Sequence, residues 1–141
     1  MIETSVLVDS SVWIEGLRPN APGGLKDLLG ALIESGRVVT TDIVRLEVIA
    51  GARSFEEFGG FRADFEALLC LETTAREWRK AEDLSFVLNR AGQRVKATDI
   101  LIAAVARSYN VPLWHADKDF ERVREAVSDF HTFFYPKKNP A

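Results

Sequence analysis

Ser5-Val6-Leu7-Val8-Asp9-Ser10-Ser11 is the stretch that decides how this chain is read. Its opening is short, apolar and rich in β-branched residues, as a buried strand is, and it stops at three residues suited to starting a helix. Asp9 therefore falls at the carboxyl end of a strand, the edge outside which open α/β sheets bind their ligands. Taken alone, Asp9 reads better as the N-cap of the helix that begins near Ser11. Val12 to Leu17 reads as that helix, closed by Arg18-Pro19-Asn20.

The same alternation continues outward from this unit. Leu25, Leu28, Leu29, Leu32 and Ile33 recur at helical spacing between Gly24 and Ser35, and Gly36 ends the run. Arg37-Val38-Val39-Thr40 reads as a second strand, and Thr41 or Asp42 caps a helix from Ile43 to Ala50. Phe55, Phe58, Phe61, Phe65, Leu68 and Leu69 line one helical side of Ser54 to Leu69, with a break expected at Gly59-Gly60 because each glycine costs roughly 1 kcal/mol in a helix. Leu71-Glu72-Thr73 suggests a brief strand, Ala75 to Arg90 a helix, and Ala97 to Ser108 a nearly all-apolar helix that must be central. Val111 to Trp114, Phe120 to Ala126 and Phe130 to Phe134 complete the pattern as strand, helix and strand. Strands regularly separated by helices predict a three-layer α/β/α domain around a mostly parallel sheet.

Length and composition agree with one such domain. The 141 residues are 47% hydrophobic and 28% charged, the balance of a globular chain. Residues 1–136 are assigned to the domain and 137–141 to a flexible tail. The longest apolar run, Ile100 to Ala106, is far short of the roughly 20 residues of a membrane span. Met1-Ile2-Glu3-Thr4 lacks a signal-peptide pattern, so the expected location is the cytoplasm. Cys70 is alone, which excludes an intrachain disulfide and a multi-cysteine zinc site. With only His115 and His131 as imidazoles, any metal would be held by oxygen, which favours magnesium or manganese. A formal charge of −3 argues against a uniformly basic nucleic-acid coat but leaves room for a local basic groove.

The placement of the acids carries the chemistry. Glu47 stands within the apolar stripe of Ile43, Leu46 and Ala50, which predicts a carboxylate on an inward face. Such a group must be paired, protonated or metal-bound, and a buried ion pair with an arginine is the competing reading. Asp99 opens the most apolar helix, with Thr98 as its possible cap; first-turn dipole stabilisation explains it as readily. Asp117 and Asp119 follow the strand ending at Trp114, where the first suits a cap and the second a solvated first turn. Each acid has an ordinary explanation, but together they fall where a small α/β domain converges on one sheet edge. Clustered carboxylates repel unless a cation neutralises them, and a substrate recruited by that cation would be anionic, such as a phosphodiester.

Four segments then resemble the PIN-domain ribonucleases, specifically the VapC-type toxins of VapBC toxin–antitoxin pairs. They are Val8-Asp9-Ser10-Ser11-Val12-Trp13-Ile14, Arg45-Leu46-Glu47-Val48 with Gly51, Ala97-Thr98-Asp99-Ile100-Leu101-Ile102-Ala103-Ala104, and Asp117-Lys118-Asp119-Phe120. No segment is specific by itself; their order over nearly the whole chain is. His115 departs from the threonine that many relatives carry two residues before the fourth acid.

The resemblance implies a Mg2+- or Mn2+-dependent endoribonuclease in which Asp9, Glu47, Asp99 and Asp117 hold the metal and carry catalysis. Asp9 and Asp99 would be direct ligands, Glu47 and Asp117 would act directly or through water, and Asp119 would be a supporting or helix-anchoring residue. Ser10 and Ser11 are helix caps that could also hydrogen-bond a carboxylate, and His115 and His131 are read as structural. Arg90, Arg94 and Lys96, just before Asp99, are the phosphate-contact candidates, with Arg45 and Arg53 as further ones. The implied substrate is RNA, a tRNA or another structured RNA, and the implied partners are a cognate antitoxin and a second copy in a homodimer. Trp13 and the phenylalanines at 55, 58, 61 and 65 are read mainly as core, with any excess available to a partner.

Three other readings compete. A catalytically silent binding module of the same fold would bind metal without turnover. A phosphoacceptor regulatory domain would need a lysine on a late strand facing the acids, whereas Lys118 follows its strand. An aspartyl-nucleophile phosphatase would want an aspartate where Ser11 stands.

Overall fold

The computed structural model describes residues 5–134; the expected domain boundary at 136 and the tail 137–141 lie outside them. In chain order the elements are β1 (Val6–Val8), α1 (Ser10–Leu17), α2 (Gly23–Glu34), β2 (Val38–Thr40), α3 (Asp42–Ile49) and α4 (Phe55–Glu66). They continue with β3 (Leu69–Cys70), α5 (Ala75–Arg90), α6 (Ala97–Tyr109), β4 (Leu113–His115), α7 (Asp119–Ala126) and β5 (Thr132–Phe134). The five strands form one sheet in the order β3-β2-β1-β4-β5, with every pairing parallel. The fold is thus the expected α/β/α architecture. None of the described helices is long and apolar enough to cross a membrane.

The strand order positions the site. From β1 the chain winds outward through β2 and β3, then crosses to the other side of β1 to lay down β4 and β5. The winding direction reverses between β1 and β4, where the connections diverge and leave a crevice at the carboxyl edge. Asp9 leaves β1 and Ala116-Asp117 leave β4 on either side of that reversal. Beneath it, Leu7, Val8, Val12, Ile102, Ala103, Leu113 and Phe120 are at most 1% exposed. This core fixes the backbones from which the acids project.

Local structure departs from the sequence expectation in four places. α4 runs unbroken through Gly59-Gly60. Its start is capped by Ser54, whose Oγ accepts the Glu57 N–H at 3.0 Å, and its end is anchored by Phe65 against Trp13 with ring centroids 5.0 Å apart. Cap and aromatic burial together offset the glycine cost of about 1 kcal/mol each. Its aromatic face is only partly core, since Phe65 is buried while Phe55 is 88% exposed.

The brief strand is Leu69–Cys70 rather than 71–73, set by pairing with Val39 and Thr40. α6 starts at Ala97 after Lys96, with no side-chain cap, so Thr98 does not serve as one. On α3 the buried residues are Val44 and Val48, and Leu46 is exposed. Glu47 consequently lies half-buried at the border of the apolar stripe, not within an inward face.

Candidate metal centre

The first turn of α1 organises two of the acids. Asp9 caps the helix through Oδ2, which accepts the Ser11 N–H at 2.9 Å and the Ser11 hydroxyl at 2.6 Å. Both readings of Asp9 therefore hold at once, because capping uses only one of its carboxylate oxygens. Oδ1 is buried and accepts no hydrogen bond from the described residues. Ser10 donates to Glu47 Oε1 at 2.8 Å, which ties α3 to α1. The helix-start serines thus hold carboxylates, and the cap expected of them is made by Asp9 instead.

Asp99 is 4% exposed at the start of α6, and its Oδ2 likewise accepts no hydrogen bond. Lys96, one turn earlier, holds its ammonium 3.7 Å away as an ion pair. Asp117 Oδ1 accepts the Asp119 N–H at 2.9 Å, a turn that starts α7. One carboxylate oxygen each from Asp99, Asp117 and Asp119 lies within 4.8 Å of the other two. Asp119 also pairs with Arg122 on the next turn of α7.

The electrostatics follow from this crowding. Burial pushes the Asp99 carboxyl up to about 7; Lys96 opposes the rise, while the charges of Asp9, Asp117 and Asp119 add to it. Burial also raises Asp9, against the hydrogen bonds from Ser11, and the Glu47 charge raises it further. Asp99 holds Lys96 above its ordinary value despite some burial, and Asp117, Asp119 and Glu47 contribute. Four of the five acids thus act electrostatically on one buried carboxyl or its neighbour. The donor set is entirely oxygen, and two buried oxygens lack any hydrogen-bond partner, so these residues fit a hard divalent cation.

Of the acids expected from the sequence, Asp99 and Asp117 lie grouped with Asp119, while Asp9 and Glu47 are not part of that group. The Asp-x-Asp spacing across the start of α7 was the available signal. Among the basic candidates, Arg94 and Lys96 line a groove of about 470 Å3 with Asn89, Gln93 and Asp119. Arg90 is exposed and lies 5.9 Å over the Phe86 ring. Arg45 pairs with Glu66 at 3.1 Å and Arg53 with Glu57 at 3.4 Å, so both are engaged locally. His131 is exposed, and His115 is fully buried behind Asp117.

The sequence model of the PIN domain matches residues 6–126, so the chain belongs to that family, and the parallel sheet with acids at its winding reversal agrees with it. Its likeness to Ribonuclease VapC21 of Mycobacterium tuberculosis, 34% identity over 85% of this chain and 86% of that protein, places it with the VapC-type members. In fold it is similar to VapBC from Salmonella typhimurium, solved bound to DNA, with a TM-score of 0.76, 18% identity, and coverage of 92% of this chain and 97% of that one. It is also similar to VapC20 of Mycobacterium tuberculosis, a toxin that cleaves the sarcin–ricin loop, with a TM-score of 0.66, 20% identity, and coverage of 83% and 93%.

Proposed function

We propose that this protein is a Mg2+- or Mn2+-dependent endoribonuclease, the toxin of a toxin–antitoxin pair, acting in the cytoplasm. The observation that carries this reading is the pair of buried carboxylate oxygens on Asp9 and Asp99 that accept no hydrogen bond among the described residues, with Asp99 grouped beside the Asp117 and Asp119 carboxylates. Asp9 and Asp99 would hold the cation directly, and Asp117 and Glu47 would complete the site directly or through water. Asp119 joins them from the start of α7. When bound, the divalent cation supplies positive charge opposite the scissile phosphate and activates water.

The chain's own residues do the rest. Ser11 and Ser10 orient Asp9 and Glu47 through the bonds described above. Lys96 balances Asp99 and, with Arg94, presents positive charge along the groove toward the RNA backbone. Arg90, exposed at the end of α5, is a further candidate for a backbone contact. The substrate is a structured RNA, in line with the ribonuclease names of the relatives and the sarcin–ricin-loop cleavage of VapC20; a tRNA fits the same description.

The antitoxin reading has its own support. Beside Glu47, a groove of about 260 Å3 is lined by Ile14, Leu17, Val48 and Phe61, with Arg53 and Glu57 at its rim. Ile14 and Leu17 are each 42% exposed, an apolar surface that an antitoxin segment would cover next to the acids. A homodimer completes the proposed assembly.

Expression of the chain without an antitoxin should arrest growth and leave cut RNA. The Asp99→Asn protein, at equal soluble level, should do neither while still binding the antitoxin. Harmless wild type with no RNA cleavage would favour the silent binding module.

A further inference from the structure

β4 ends on a histidine that is wholly buried, two residues before a candidate metal ligand. The His115 ring is 0% exposed, with the rings of Phe120 and Phe134 each centred 5.1 Å from it. Nδ1 accepts the backbone N–H of Asp117 at 3.2 Å, and Nε2 lies 2.8 Å from Glu121 Oε2. A ring nitrogen that accepts cannot carry the proton, so the imidazole is the neutral form protonated on Nε2, which donates to Glu121.

Glu121 is itself fixed. Its carboxylate accepts from Arg124 Nε at 2.8 Å and Thr132 Oγ1 at 3.1 Å. The tautomer and rotation of His115 are therefore set by α7 and β5, which supply Glu121, Thr132 and the two flanking rings. On either side of it, Ala116 donates its N–H to Ser11 Oγ at 2.9 Å and Asp119 donates to Asp117 Oδ1. The loop bearing Asp117 is thus pinned by side chains at three of its backbone N–H groups. The bond to His115 is the one made by Asp117's own N–H, while its carbonyl accepts the Phe120 N–H at 3.2 Å.

We propose that His115, held by Glu121, is a positioning residue that sets the backbone from which Asp117 reaches the metal centre. The proposal rests on the metal-site reading above. Ligand orientation by such hydrogen bonds matters because a carboxylate displaced by a fraction of an ångström loses a hard cation's preferred geometry.

Two amides separate the two bonds of the imidazole. In His115→Asn the side-chain oxygen stands near the place of Nδ1 and can accept the Asp117 N–H, but cannot reach Glu121. In His115→Gln the longer amide reaches toward Glu121 and leaves the Asp117 N–H without its acceptor. Both lose the aromatic stacking, so a purely structural role would lower both thermal midpoints without separating their metal affinities.

The readout is Mn2+ binding without RNA, followed by the electron paramagnetic resonance of free Mn2+, alongside thermal unfolding. His115→Gln should weaken Mn2+ binding by about tenfold to a hundredfold, and His115→Asn by no more than about threefold. Equal affinities in the two variants would overturn the role of His115. Glu121→Ala, whose side chain is 24% exposed and outside the core, keeps the test open should the amide variants not fold. It should weaken Mn2+ binding by about threefold to tenfold with the fold retained, and unchanged affinity would overturn the proposal. Wild type that takes up no Mn2+, indistinguishable from Asp99→Asn, would instead remove the metal-site reading and this proposal with it.

Discussion

Lys96 holds its ammonium 3.7 Å from Oδ2 of Asp99, near enough for an ion pair and too far for a hydrogen bond. The two ends of this pair are unequal, since the lysine side chain is 64% exposed and the aspartate 6%. Solvent screens the lysine's contribution, and burial wins: the Asp99 carboxyl titrates near 7 rather than 3.8. The protein therefore carries an acid poised to give up its proton when a cation arrives.

That poise has a definite sign in stability. Between 3.8 and about 7 the folded protein binds more protons at Asp99 than the unfolded chain does, so this group's stabilisation falls as pH rises through that window. His115, whose pKa burial lowers, acts oppositely below its ordinary 6.5, so a comparison of proteins is needed. In a chelator, the thermal midpoint of wild type relative to Asp99→Asn should decline between about pH 4 and pH 7. Added Mn2+ should raise the wild-type midpoint and bind more tightly at pH 8 than at pH 6. A difference curve rising with pH would contradict the assignment.

Glu47→Gln separates function from stability. The amide oxygen can still accept from Ser10, and the side chain is only half-buried, so unfolding free energy should change by less than about 0.5 kcal/mol. RNA cleavage should fall by about a hundredfold. Retained cleavage with a large loss in melting temperature would make Glu47 a structural brace.

Ser11→Ala breaks the link between Asp9 and the loop after β4. Ser11 Oγ both donates to Asp9 and accepts from Ala116, so the change strands a backbone N–H and weakens a helix cap. The cost should be about 1–3 kcal/mol, read as a lower urea midpoint at unchanged slope, with weaker Mn2+ binding beside it. Unaltered metal binding would show that Ser11 supports only the helix.

Much of this is legible in the sequence. Ala75 to Arg90 and the central helix from Ala97 are strongly patterned, and β1 ends in an unmistakable strand-to-cap sequence. The four acids stood out because apolar surroundings make acids conspicuous. What escaped was tertiary in origin. The face of α3 is set by what Val44 and Val48 meet, and the continuity of α4 by the Phe65–Trp13 contact. Asp119 reads as solvated charge until the turn of Asp117 brings it back toward Asp99. The His115 tautomer depends on Glu121 and Thr132, and no sequence pattern announces that chain of bonds.

Glu77 provides a control away from the site. Burial alone would raise this fully enclosed carboxylate, but hydrogen bonds led by Ser108 at 2.5 Å and two from Thr74 lower it to about 2. Its stabilisation is present above 4.5 and is lost as pH falls toward 2. Glu77→Gln should cost about 1.5–3 kcal/mol at neutral pH and nothing in Mn2+ affinity. A fall in metal binding as large as that of Asp99→Asn would mean that the Mn2+ readout follows general destabilisation.

The most direct measurement is cleavage of a structured RNA by the purified wild type in a chelator, then after Mg2+ or Mn2+ is restored. Cleavage should be absent in the chelator, return with either cation, and stay absent for Asp99→Asn in both conditions. Undiminished cleavage in the chelator, or by Asp99→Asn with the cation present, would contradict a metal centre built on these acids.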